Sequence, residues 1–294
     1  MKRIGNLIVI ESPQNSKVPY SRSLFIDSPE GVLIDSGAKP EALLEIDKEF
    51  GIGLIMNTHY HPDHTQYGYL FPDAEKRINP VEFETARSMK NVANEYGILQ
   101  ELDQKAYQKW LDTVPSRWEQ SLQQISGAYE YNKEYSFGGV KVIFLHTPGH
   151  TKGLACPYFP EEGVVFTVDY DMSSFGPWYN GTDGDIDQFI KSGLMLLELD
   201  ADTYITGHHK GILSKNEFAE AMKKYLAVID KREEKIEKHV RMGLTFEELA
   251  NVGIFYPKHI LEKEPLYRVW ERSGIRKHLQ RMGLSVPEKE KSIN

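Results

Sequence analysis

Two patterns predict an α/β fold. Four short apolar runs, at residues 54–56, 140–145, 164–168 and 204–207, read as buried strands, and each hands over to a His or Asp at its C-terminal end. Around them, apolar residues recur at helical spacing. Open α/β sheets place their ligands at the carboxyl edge of the strands, so the same pattern that predicts the fold also predicts a site.

The elements follow in order. Residues 1–10 read as a first strand, with an apolar run too short for a signal sequence. A hairpin is expected from residues 23–27 and 32–35, joined by Ser28-Pro29-Glu30-Gly31. Residues 41–50 read as a helix with Leu43, Leu44 and Ile46 on one side. The strand at 54–56 leads through Asn57 and Thr58 into His59-Tyr60-His61-Pro62-Asp63-His64, which packs three imidazoles and a carboxylate into six residues. In an extended chain His59 and His61 share a side. Pro62 breaks the extension and starts a turn or helix that carries Asp63 and His64. Imidazole nitrogen with carboxylate oxygen suits zinc, iron or manganese.

Residues 81–128 change character. Val81, Phe83, Ala86, Met89, Val92, Ala93 and Tyr96 recur at helical spacing, as do Leu102, Tyr107, Trp110 and Leu111 and then Trp118, Leu122 and Ile125. This is a helical insertion that either roofs the site or only packs onto the sheets. The strand at 140–145 then enters His146-Thr147-Pro148-Gly149-His150-Thr151. The strand at 164–168 delivers Asp169, and the one at 204–207 delivers His208 and His209. Of ten histidines, seven fall at these places. After Asp169 comes a turn-rich aromatic loop with Tyr170, Asp171, Phe175, Trp178 and Tyr179. Residues 214–294 read as a helical C-terminal region. Ser214 with Glu217 and Thr245 with Glu248 form capping boxes, and Phe218, Met222, Tyr225, Ile229, Ile236 and Val240 mark one helix face. A frayed tail is expected from Arg281 onward. The region serves either as an appended subdomain or as a homodimer surface.

Composition narrows the function classes. The chain has 294 residues, 40% hydrophobic, with net charge −8 and one cysteine, Cys156. A lone cysteine excludes an intramolecular disulfide framework and fits a reducing compartment, so a cytoplasmic location is expected. Cys156 reads as a small buried apolar residue. The acidic balance disfavours nucleic acid as a partner, and no segment has the apolar length of a membrane span.

The order H-x-H-x-D-H, P-G-H-T, strand-terminal Asp and G-H, preceded by Ile34-Asp35-Ser36-Gly37, resembles the metallo-β-lactamase superfamily over roughly residues 20–210. The resemblance implies a four-layer αββα sandwich spanning residues 1–213, with the insertion at 81–128 over the pocket and the helical extension at 214–294. It implies two divalent metal ions, zinc foremost, with iron or manganese as alternatives. His59, His61 and His150 would hold the first ion. Asp63, His64 and His208 would hold the second, and Asp169 would bridge them. Spacing leaves His208 and His209 open; the Gly-His order favours His208, and His209 would then face substrate or solvent. Asp35 would support the ligands or merely form a turn, and His146 would be a supporting neighbour or a structural residue.

A water shared by two cations ionises near neutral pH and can attack an activated carbonyl. Asp63 would orient it and accept a proton. Tyr170 or Tyr179 would donate a hydrogen bond to the developing oxyanion, and Phe175, Trp178 and Tyr179 would line the pocket. Within the resemblance, Asp169 argues against antibiotic hydrolysis and His61 against flavodiiron chemistry. No long RNA-binding element is evident, and no basic cluster of the glutathione-binding kind stands near the C-terminus. Val168 also occupies a position where a Gly often precedes the bridging Asp. The expected activity is hydrolysis of an ester, lactone or thioester of a small acyl substrate by a dinuclear centre. An iron-dependent redox enzyme and a phosphodiesterase or nuclease are the alternatives.

Overall fold

The computed structural model describes residues 1–286. Thirteen strands among these residues form two sheets. The first contains β1 (Lys2–Ile4), β2 (Leu7–Ile10), β3 (Ser23–Ile26), β4 (Val32–Ile34), β5 (Leu54–Asn57), β6 (Glu75–Ile78) and β7 (Gly127–Ala128), side by side in chain order. Strands β1 to β4 pair antiparallel, the expected hairpin being β3–β4, and β4 to β7 pair parallel. The second contains β8 (Glu134–Phe137), β9 (Val140–His146), β10 (Ala155–Phe159), β11 (Val164–Val168), β12 (Thr203–Thr206) and β13 (Ile212–Ser214), again in chain order. Only β11 and β12 are parallel there, and the helix Ile186–Leu197 fills their crossover.

Strand alternation builds the layers. Leu7, Val9, Leu24, Ile26, Val32, Ile34, Leu54 and Met56 turn inward and share one core with Val140, Val142, Phe144 and Phe166 of the second sheet. Their sequence neighbours Ile8, Ile10, Phe25, Leu33 and Ile55 turn outward onto Leu43 and Ile46 of the helix Pro40–Phe50. Beyond the second sheet, Phe218 of the helix Lys215–Arg241 stacks on Tyr204 at 4.2 Å between ring centroids. The architecture is the four-layer αββα sandwich. Each of these side chains contributes about 1.5–3 kcal/mol on full burial, and a slip of one residue in any strand would exchange the two faces.

The insertion folds as five short helices, Phe83–Ala86, Met89–Glu95, Ile98–Glu101, Gln104–Thr113 and Ser116–Gln123, within the β6–β7 crossover. Ser88 and Asp103 cap two of them by accepting from the amides of Asn91 and Ala106. Val92, Tyr96, Ile98, Trp118 and Leu122 gather around Tyr60, so the insertion is anchored beside the first metal motif.

Both predicted capping boxes are present, at Ser214/Glu217 and Thr245/Glu248. Ile229, Ile236, Leu249, Phe255 and Leu279 belong to the same core as the sandwich; the C-terminal helices continue that core. The tail begins later than expected. Arg281 lies within the helix Pro265–Met282, held by Asp187 at 2.7 Å and by Glu233. Residues 287–294, the remainder of the expected tail, lie outside the described residues. No helix among the described residues is long and apolar enough to cross a membrane.

Candidate metal centre

Four chain turns at one edge of the sandwich bring the expected residues together. After β5 the chain stays extended to His61, which precedes Pro62 and so avoids the helical region (φ −60°, ψ 149°). Pro62 opens the short helix Pro62–Thr65, which carries Asp63 and His64. After β9, Gly149 adopts φ +134°. A Cβ on Gly149 would lie 2.3 Å from the backbone nitrogen of Phe189, so only glycine lets His150 enter the site. After β11 the pairing register shifts, and Val168 takes φ +50°. The position where a Gly was expected thus keeps a left-handed backbone with a β-branched residue in it, a strain of about 1–3 kcal/mol stored next to Asp169.

Two groups of side chains result: His59, His61, His150 and Asp169, and beside them Asp63, His64 and His208. Asp169 touches both. Its Oδ2 lies 2.7 Å from His150 Nε2 and 3.3 Å from His59 Nε2. Its Oδ1 lies 3.1 Å from His64 Nε2 and 3.2 Å from His208 Nε2. His61 presents Nδ1 to His150 Nε2 at 3.0 Å, and Asp63 Oδ2 lies 3.3 Å from His208 Nε2. Between His208 and His209 the geometry selects His208.

The donors fit divalent cations. Ring nitrogens that face one another at about 3 Å need a shared cation or proton between them. His59 Nε2 is buried and has no hydrogen-bond partner, as expected of a nitrogen reserved for a metal. The far nitrogens are tethered. His64 Nδ1 meets Asp35 Oδ2 at 2.8 Å, His150 Nδ1 meets the Trp178 carbonyl at 2.9 Å, and His208 Nδ1 meets the Ser16 carbonyl at 2.7 Å. Thr58 Oγ1 donates to Asp35 Oδ2 at 2.8 Å and takes His59 Nδ1–H at 3.1 Å. Each tether leaves Nε2 free for a cation.

Electrostatics follow from burial and proximity. Burial would lower the His64 imidazole, but Asp169 and Asp35 outweigh it and hold it at about 10. Burial likewise opposes charge on His208, and Asp169 and Asp63 overcome it. His59, with less compensation, falls to about 4, chiefly through burial. Burial would raise the carboxyls of Asp169 and Asp63, but the surrounding imidazoles hold both below the usual carboxylate range. Both are therefore carboxylates at neutral pH.

Several expected residues stand elsewhere. The Tyr170 hydroxyl donates to the Phe189 carbonyl at 3.1 Å, inside the core. The Tyr179 hydroxyl accepts from Arg232 at 3.0 Å and meets His278 Nε2 at 2.9 Å, so it ties the loop to the C-terminal helices. Both fully buried phenols are saturated by core partners, and neither faces the cluster. Phe175 packs on Tyr256 and under Arg232. His146 stacks on Tyr131 and bonds the Lys152 carbonyl, a structural role. His209 points to Asp171 at 3.8 Å, outside both groups. Asp171 itself accepts from the Ser173 amide at 2.9 Å. Trp178 does reach the centre, with its ring 5.4 Å from His61 and 5.2 Å from His150.

Sequence reasoning missed Thr58, Ser16 and Tyr96. Thr58 stood beside the first motif and carried a visible hydroxyl. Ser16 acts through its carbonyl, which no side-chain pattern reveals. Tyr96 sits in the insertion with its ring 5.6 Å from His61. It was visible only as one apolar position in a helical stripe.

A family model described as the metallo-beta-lactamase superfamily matches residues 90–208, a span that includes His150, Asp169 and His208. An uncharacterized protein of Aquifex aeolicus (strain VF5) is 32% identical over 186 residues, covering 62% of this chain and 80% of the relative. The chain belongs to the metallo-beta-lactamase superfamily. A hydroxyacylglutathione hydrolase of Bartonella henselae is 27% identical over 123 residues, which is 42% of this chain and 47% of that relative. Among solved structures, a metallo-beta-lactamase family protein of Thermus thermophilus superposes with a TM-score of 0.67 at 21% identity, covering 95% of this chain and 94% of its own. That likeness shows the superfamily fold. The His/Asp cluster of this superfamily member is a site for divalent metal ions, and its members are mostly metallo-hydrolases.

Proposed function

We propose that the chain is a dinuclear metal-dependent hydrolase, with zinc as the favoured ion, acting on an ester, lactone or thioester of a small acyl compound. The observation that carries this reading is Asp169. Its two oxygens divide between two adjacent ligand groups, one to each, and a closed structural site has no use for a shared carboxylate between two cations. The partial likeness to a protein named hydroxyacylglutathione hydrolase leans the same way.

When bound, two such cations supply an ionised water at neutral pH and polarise the carbonyl under attack. The chain's own residues do the rest. Asp63, ionised and the most accessible of the ligand side chains at 14% exposure, orients the water and takes up a proton as the intermediate collapses. Tyr96, rather than Tyr170 or Tyr179, has its ring beside His61 and is the phenol we assign to the developing oxyanion. Trp178 covers His61 and His150 and keeps bulk water from that flank.

The test is acid release in a pH-stat from lactones, thioesters, esters and phosphodiesters, with metal-loaded protein beside Asp169→Asn and His61→Ala variants. Fast turnover of one acyl class, reduced at least a hundredfold in both variants, is expected. Full activity in metal-stripped protein sinks the proposal, and turnover of phosphodiesters alone moves the chain to nuclease-type chemistry.

A further inference from the structure

Five imidazoles reach the metal centre, and four of them are held by the ring nitrogen that faces away from it. Asp35 holds His64, the carbonyls of Trp178 and Ser16 hold His150 and His208, and Thr58 holds His59. His61 is the exception. Its Nδ1 faces His150, and its Nε2 is buried without a hydrogen-bond partner among the described residues. With no tether on the ring, the direction of His61 is set by the rings packed around it and by the backbone that carries it. That backbone is gripped on both sides of Tyr60. The Tyr60 amide donates to Glu82 Oε2 at 3.0 Å, and the Tyr60 carbonyl accepts from Trp118 Nε1 and Thr65 Oγ1, both at 3.3 Å.

Glu82 reaches a second loop as well. Its Oε1 accepts the Gly153 amide at 3.1 Å, in the β9–β10 turn that carries His150. Asn79, just past β6, donates from Nδ2 to Glu82 Oε2 at 2.9 Å and to the Thr58 carbonyl at 3.2 Å, and its Oδ1 accepts the Glu82 amide at 2.8 Å. Three N–H donors thus converge on one fully buried carboxyl, a set that an ionised carboxylate satisfies. The approach of the second loop requires glycine. A Cβ on Gly153 would fall 2.3 Å from Asn79 Oδ1 and 2.6 Å from Glu82 Cγ.

We propose that Glu82 is a positioning residue for the first metal group. Its carboxylate locks the loop of His59 and His61 to the loop of His150, and so holds those three imidazoles together around one cation. A buried charge is costly even when hydrogen-bonded, and the bonds of this carboxylate run to the two loops of the first group and to the Asn79 that steadies it. The His64 and His208 rings are tethered independently, by Asp35 and Ser16. Glu82 therefore governs one ion and not the other, whichever bond the enzyme cleaves.

The test measures zinc affinity by competition against a chelating dye in two backgrounds. His208→Ala damages the second group and leaves the first; His61→Ala does the reverse. Glu82→Gln keeps the shape of the side chain but turns an NH2 towards one of the amides that Glu82 accepts. In the His208→Ala background it should weaken zinc about 10- to 100-fold, the cost of losing a group that orients ligands. In the His61→Ala background it should leave zinc affinity unchanged. A loss of equal size in both backgrounds would show that Glu82 only supports the fold, and an unchanged affinity in the first would equally overturn its role. If Glu82→Gln does not fold, Asn79→Ala carries the same comparison. It removes one of the three donors and leaves the carboxylate, so a smaller loss, again confined to the His208→Ala background, is expected.

Discussion

The Asp35 carboxylate meets the His64 imidazole at 2.8 Å with both side chains fully buried. The same carboxylate accepts the Thr58 amide at 2.7 Å and the Thr58 hydroxyl at 2.8 Å, and through that hydroxyl it reaches His59. One buried anion on the β4 turn thus orients a ligand in each of the two groups. Asp35 adopts φ +58°, a conformation that Asp tolerates better than most residues.

Asp35→Ala is expected to weaken metal binding about 10- to 100-fold, more for the His64 group, where the contact is direct, than for the His59 group. Competition against a chelating dye reads both stoichiometry and affinity. Two tightly held ions in the variant would show that the contact is incidental.

Gly37 closes the same turn. A Cβ there would fall 1.6 Å from the Asp63 carbonyl and 2.2 Å from Ser21 Oγ, and Asp63 cannot yield without carrying His64 along. Gly37→Ala should therefore lose the second ion before the first. Titration of the variant with one and then two equivalents of metal would reveal a single retained site; two retained sites would show that the turn relaxes instead.

Asp183 offers a pH test away from the centre. Burial, with the charges of Glu82 and Glu95, pushes its carboxyl up to about 7 from the ordinary 3.8, and both oxygens lack partners. An acid that holds its proton more tightly when folded stabilises less as pH rises between its unfolded and folded values. Across that window Asp183 therefore costs stability, and the cost is complete above about pH 7. Asp183→Asn should melt progressively higher than wild type as pH is raised from about 4 to about 8. A constant difference between the two melting curves would refute the assignment.

Metal removal supplies a fourth test. A cation that binds only the folded chain stabilises it by about 2.7 kcal/mol at a hundredfold excess over its dissociation constant. A chelator should therefore lower the melting temperature by several degrees, reversibly, and the shift should shrink in Asp169→Asn. An unchanged melting temperature would mean that the cluster holds no ion under those conditions.

The strand-end histidines and aspartates were legible because each belongs to a short local device: an apolar run, then a turn made by Pro, Gly or a left-handed residue. Strand pairing carries those ends to one edge, so residues as distant as His59 and His208 meet without any long-range signal in the sequence. The aromatic residues gave no such reading. Tyr170, Trp178 and Tyr179 lie on one loop with similar chemistry, yet Phe189, Arg232 and His278 capture two of the hydroxyls while Trp178 turns onto His61 and His150. Which ring faces the centre depends on packing between segments far apart in the chain, and periodicity carries no information about that. The same reason hid Tyr96, and it hid the Ser16 carbonyl, a backbone group placed only by the fold.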